Sequence, residues 1–356
     1  MVLSIVDGGK GLVAQHTAAA LKSSIEIRYS TPLTSLLVSS GRVVGVTLKH
    51  HPVPSRAVIL CSGGFEASPQ LRAQYLGPSW DLAHVRGTPF NTGETFTILS
   101  RDVNAKFVGN WSGCHSVAWD ANSTPDSGNR ELTNQYTKSG YPLGIMVNEM
   151  GERFVDEGVD LRNFTYARFG KEILRQRGSF AFQVWDKRGA EWLRVEEYGD
   201  DVVEKISAST VEELARRLTE HGLGSEETFL RTVRDYNEAI EAHRKEHPKA
   251  KFDPSVKDGL STQSSKRRLT VSKSNWALPL KEGPFVAVKV TCGITFTFGG
   301  VAVNPKTAAV ISNSDGKDIP GLWAAGEIVG GCFFENYPVR IVLKMEFNNR
   351  EGVDLL

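Results

Sequence analysis

Gly321–Pro338, GLWAAGEIVGGCFFENYP, is the stretch on which the fold turns. An apolar run, Leu322-Trp323-Ala324-Ala325, leads into Gly326-Glu327 and then two more glycines. That order predicts a buried strand meeting a tight turn, where backbone must come close to something else. A carboxylate at the end of such a strand, flanked by residues without bulk, suits hydrogen bonding to ligand hydroxyls such as those of a ribose or ribityl chain. An ordinary turn carrying a surface glutamate fits the same residues.

Working outward, the first sixty residues are predicted to alternate short strands with one helix. The helix follows Gly9-Lys10-Gly11, and a strand IEIRYS (25–30) succeeds it. TPLTSLLVSS and GRVVGVTLKH then read as strands joined by a turn at Ser39 to Arg42, part of a three-stranded excursion. The excursion returns to a buried parallel strand, AVILCSGGF. A buried strand that stops in Ser62-Gly63-Gly64 resembles a phosphate approach, since glycine lets backbone come close to a pyrophosphate; structural punctuation explains it as well. ASPQLRAQYLG and TFTILSRDVNA read as helices, the second after a Thr92-Gly93-Glu94 turn.

From Phe107 to Asp120 the chain turns aromatic and polar, and Asn122 to Asn134 reads as a surface loop at a domain boundary. Gly144 to Asn148 and Arg153 to Val155 are predicted as a hairpin delivering Asp156, Glu157, Asp160 and Arg162 to one end, with Arg153 and Glu157 as a structural ion pair. Residues 163–248 read as mostly helical around a strand FAFQVW, with a capping-box spacing at Ser209-Thr210 to Glu213. Lys249 to Lys273 is polar and irregular, and strands PFVAVKVT and GITFTFGGVAVNPKTAAVI precede the opening stretch. Strands at both ends of a helical block predict a nucleotide-binding domain interrupted by an inserted cap.

With 356 residues the chain is long enough for two domains. Its 42 basic and 41 acidic residues leave a formal net charge of +1, so no global field draws it to nucleic acid or an anionic membrane. Cys61, Cys114, Cys292 and Cys332 are scattered without a CxxC pair, which indicates neither a zinc site nor a disulfide framework. There is no apolar run of about 18 residues and no signal-peptide pattern, so no membrane span and a cytoplasmic location are expected.

In order along the chain, VILCSGGFE, RGTPFNTGE, GNWSGCHSVAWD, GIMVNEMGERFVDEG, GITFTFGGVAVN and GLWAAGEIVGG resemble the FAD-binding flavoproteins of the fumarate reductase and succinate dehydrogenase superfamily. WSGCHSVAWD, VDEGVDLRNFTYA, KSNWALP and FFENYP look most like tricarballylate dehydrogenase-type enzymes. The resemblance implies an α/β fold: an FAD-binding Rossmann-like domain in two parts, 1–109 and 298–356, with an α+β capping and substrate domain, 110–297, inserted. It implies FAD as cofactor and a small di- or tricarboxylate-like substrate. Hydride would pass between flavin and a carbon next to a carboxylate, and the protein would clamp the carboxylate charge.

Carried over residue by residue, Ser62, Gly63 and Gly64 would approach the dinucleotide, and Thr92, Gly93 and Glu94 would lie beside the flavin. Gly326 and Glu327 would contact the ribityl and ribose region. His115 sits where relatives bind a substrate carboxylate, with a structural histidine as the alternative. Arg162 lies one residue from the position of the reductases' proton-shuttling arginine, and bidentate carboxylate binding is its alternative role. The position of a second family histidine falls near Phe296. Tyr337 stands where fumarate reductases offer a substrate arginine, so fumarate itself is not the expected substrate.

The family's opening strand, GxGxxG and helix have no counterpart in residues 1–30, so a member lacking roughly its first hundred residues is expected. After Pro338, VRIVLKMEFNNREGVDLL lacks the glycine-opened helix of relatives. A non-catalytic member unable to hold FAD is therefore the alternative to a flavin oxidoreductase, and a flavin enzyme of ketosteroid type is a third reading. The sequence names no electron partner.

Overall fold

The computed structural model describes residues 6–129 and 131–335. Tyr337, Pro338 and the tail beyond lie outside the described residues. The first element is α1 (Gly8–Lys22). IEIRYS, expected as a strand, is irregular instead: Ile25, Ile27 and Tyr29 are all exposed, and without a sheet face to bury them their β preference decides nothing.

β1 (Leu33–Ser39) and β2 (Arg42–Leu48) pair antiparallel as expected. Ser40 and Gly41 between them both hold positive φ, the pattern of a two-residue hairpin turn whose twist matches the strands. β3 (His51–Pro54) completes a three-stranded sheet as an edge strand, where its two prolines cost no ladder bonds. β4 (Val58–Leu60) then returns to a different sheet. Ser68 caps α2 (Pro69–Leu71), its hydroxyl accepting from Leu71 N, and the chain continues in a wider turn to Leu76.

β5 (His84–Val85), α3 (Glu94–Val103) and β6 (Phe107–Val108) lead to β7 (Cys114–Asp120). The sequence suggests no strand over β7, because its polar and aromatic residues do not alternate. They need not, since the strand is buried on both faces from His115 onward, with α4 packed across it and Ser116 Oγ donating to Ala167 O.

β8 (Ile145–Val147) precedes α4 (Arg162–Leu174). The predicted hairpin partner Arg153–Val155 shrinks to one bridge between Val147 and Arg153. Arg153 is drawn inward to Glu157 at 2.5 Å, the expected ion pair, and also donates to the carbonyls of Val271 and Ser272. Glu157 in turn accepts from Met146 N, so no charge is left buried alone.

β9 (Ala181–Trp185), α5 (Lys187–Ala190), α6 (Val195–Tyr198) and β10 (Ile206–Ala208) come next. α7 (Val211–Glu220) carries the expected capping box: Thr210 Oγ1 accepts from Glu213 N while Glu213 accepts from Ser209 N. α8 (Glu226–Glu246), capped by Ser225, is the longest helix described.

β11 (Phe285–Thr297) is the strand that joins the largest sheet together. Its first half lies between β10 and β9, and its second half pairs with β7 and, in parallel, with β5. The sequence suggests a break near Cys292-Gly293, but Gly293 is there for packing: a Cβ would sit 2.6 Å from the Trp119 ring. β12 (Gly300–Val301), β13 (Ala309–Ile311) and β14 (Asp318–Ala324) close the described chain, and β14 pairs antiparallel with β13 and parallel with β4.

Candidate functional site: a cleft at the ends of two parallel strands

β4 and β14 run side by side in register, Leu60 beside Ala324, so both end at one edge of their sheet. Ala325 N donates to Leu60 O and locks the two exits together. Ser62-Gly63-Gly64 leaves β4 and Gly326-Glu327 leaves β14, so two glycine turns distant in sequence become neighbours. Carboxyl ends of parallel strands are where α/β sheets bind ligands.

The glycines are needed for different reasons. A Cβ at Gly64 would lie 2.3 Å from both Glu327 Oε1 and Thr297 Oγ1, so any side chain there must displace one of them. Gly63, at φ 74°, packs on Asn91, whereas Gly326, at φ 79°, has nothing within 4 Å of a Cβ and faces open space. Gly93, which precedes α3, would drive a Cβ into Leu71 and Phe65; Glu94 beside it is exposed.

Below the β4 turn, Phe65 is fully buried and stacks on Trp111 at 5.6 Å, with Phe96 and Tyr75 against its edges. Arg72 fixes the same turn from the other side. Its guanidinium donates to the carbonyls of Glu66, Trp80, Asp81 and Ala83, four bonds between 2.6 and 3.0 Å.

Glu327 does not point freely outward. Its Oε1 accepts from Thr297 N at 2.9 Å, and its carboxyl also accepts from the Gly64 amide and meets that of Glu66. Glu66 is buried and accepts from Asn91 Nδ2 at 2.5 Å, while its Oε2 finds no donor among the described residues. Burial raises both carboxyls above the ordinary range, and the negative charge of Glu66 raises Glu327 further, which favours a proton held by the pair. Thr92 Oγ1 is also buried, with no partner among the described residues. Glu66, Asn91 and Thr297 lay inside quoted motifs, but nothing in their spacing showed that their side chains would converge.

His115 and Arg162 come from different elements, β7 and α4. His115 is buried on β7, cross-strand from Phe296, and their rings stack at 5.4 Å and 9°. Burial, with Arg86 nearby, lowers its pKa to about 3, so the imidazole is neutral at physiological pH. Arg162 opens α4, donates to Ser139 Oγ at 3.0 Å and lies 3.7 Å from Glu197. It lines a cavity of about 320 Å³ whose walls do not include His115. Among the described residues no cluster could hold a metal ion and no helix is long and apolar enough to cross a membrane.

Comparison with known proteins identifies the family. Residues 4–339 match the family model described as FAD binding domain. A probable fumarate reductase of Shewanella frigidimarina is 26% identical over 340 residues, 91% of this chain and 48% of that protein. The 4-oxocyclohex-2-ene-1-carboxylate 5-dehydrogenase of Sinomonas cyclohexanicum is 26% identical over 376 residues, 98% of this chain and 59% of that protein. The chain thus spans about half the length of these relatives. Among solved structures, the open conformation of a flavocytochrome c3 fumarate reductase superposes with a TM-score of 0.67 at 24% identity, over 90% of this chain and 50% of that one, a likeness of fold. With two glycine turns at the ends of parallel strands and a family match over nearly its whole length, the chain belongs to the FAD-binding domain family of flavoproteins.

Proposed function

We propose that this chain is part of an FAD-dependent oxidoreductase that transfers a hydride between flavin and a carbon–carbon bond next to a carboxylate. The paired exits of β4 and β14 carry this reading, because an α/β sheet offers a dinucleotide its strand ends and small residues there. Ser62, Gly63, Gly64, Gly326 and Glu327 would hold FAD along the cleft, with Thr92, Gly93 and Glu94 at its side. FAD bound there supplies the hydride acceptor or donor. The division into 1–109 and 298–356 for the cofactor and 110–297 for the cap is part of the same proposal.

Arg162 would clamp the substrate carboxylate through its fork of N–H donors, of which one is engaged by Ser139. His115, neutral and buried, would serve by hydrogen bonding and carries no charge to the site. Relatives named for fumarate and for a cyclohexene carboxylate support the carboxylate class. Rapid mixing of FAD-loaded protein with candidate carboxylates tests it: flavin reduction should be lost in Arg162→Lys and His115→Ala, and unchanged rates in both would show that the site lies elsewhere.

A second reading is that this chain alone holds FAD weakly. β4 has β14 on one side and no strand on the other among the described residues, Ile59 on it is 66% exposed, and α1 buries none of its side chains. An open sheet edge beside the cleft leaves one wall of the site to be supplied.

A further inference from the structure

We propose that the cavity beside Arg162 binds an organic monocarboxylate with an apolar ring or chain. This extends the proposed function by naming the class of carboxylate, and it rests on that function only for calling the ligand a substrate.

Two arginines converge there. Arg162 from α4 and Arg194 just before α6 both reach Glu197 Oε1, at 3.7 and 3.1 Å. Glu197 is buried and tied down on its other oxygen by Ser139, whose N and Oγ donate to Oε2 at 2.9 and 2.5 Å. One fixed carboxylate therefore holds two guanidiniums at the cavity wall while most of their N–H donors stay unused by the described residues. Glu196 lies 3.8 Å from Arg194 Nε, but it is well exposed and screened by water, so it weakens the local positive charge only slightly. A second carboxylate bridging the two forks would satisfy those donors with charge-assisted bonds.

Ser139 and Tyr198 are the other polar residues at the cavity, and the rest of its lining is apolar. Pro142, Leu143, Leu161 and Leu193 line it with the indoles of Trp192 and Trp276. Trp276 is pinned by Nε1 bonds to the carbonyls of Asp253 and Val256, whereas Trp192 is more than half exposed. A volume of about 320 Å³ suits a small-molecule site. Apolar walls with cations at one place match a ligand with one charged end, and a second carboxylate would be stranded against leucine and tryptophan.

Isothermal titration of the chain without FAD tests this with phenylacetate, its neutral counterpart phenylacetamide, and succinate as probes. Phenylacetate should bind saturably with one site per chain, at least about tenfold tighter than the amide and than succinate. Trp192→Ala removes an exposed ring and should keep the wild-type melting temperature; Arg194→Gln also loosens the tie to buried Glu197, so its melting temperature is measured beside its binding, and each should weaken phenylacetate at least about tenfold. Equal affinity for acid and amide, tighter binding of succinate, unchanged binding in Arg194→Gln, or no heat from phenylacetate at roughly 10 mM would overturn the proposal. Because no flavin is involved, failure here leaves the flavin reading standing, and failure of FAD binding leaves this result interpretable.

Discussion

Replacing Glu327 by Gln should remove a pH dependence of stability that the Glu66–Glu327 pair imposes. In the folded protein burial raises both carboxyls and the charge of Glu66 raises Glu327 further, which favours a proton shared by the pair that the unfolded chain releases. The sign follows from linkage: a raised carboxyl stabilises the fold below its unfolded pKa, and that contribution is lost as pH rises toward the folded value. One proton corresponds to about 1.4 kcal/mol per pH unit, so the wild type should lose stability with a slope of at most that size as pH rises from about 5 to 7. The amide introduced by Glu327→Gln would supply its own N–H donor to Glu66 and keep a carbonyl for Thr297 N, so the variant needs no proton. Urea denaturation of both proteins at pH 5, 6 and 7, without FAD, isolates the effect as a difference in slope. Parallel pH profiles would refute the shared proton.

Arg72→Met should destabilise by about 3–5 kcal/mol in urea, because four carbonyls, three of them in buried bonds, lose the arginine donor at once. Gly64→Ala forces a Cβ onto two oxygens and should cost about 1–3 kcal/mol; an unchanged denaturation midpoint would show that the turn can relax. His115 has its folded pKa depressed to about 3, so its stabilising contribution is present above the unfolded value and lost as pH falls toward 3. His115→Phe should therefore flatten the acid limb of the stability profile by about 1.4 kcal/mol per unit between pH 6 and 4, read by urea midpoints.

What was legible in the sequence was local. Ser40-Gly41 and Thr210 to Glu213 carry their turn and cap chemistry in neighbouring residues, and each forms as read. β7 was not legible, because a strand buried on both faces loses the alternation that marks strands, and IEIRYS misled because propensity needs a face to bury. Gly63-Gly64 and Gly326-Glu327 stand out in the sequence as two separate turns. Their meeting is a product of β4–β14 pairing across more than 250 residues, which no local pattern encodes. The Glu66–Glu327 contact and the convergence of Arg162 and Arg194 on Glu197 likewise exist only in three dimensions.

FAD held by this chain is the claim on which the proposed function depends, and the visible spectrum of the purified protein after incubation with excess FAD and removal of the free cofactor tests it most directly. A flavin band near one equivalent per chain, with shifted maxima and quenched fluorescence, is the predicted result; colourless protein, or flavin with the spectrum of the free cofactor, would contradict it.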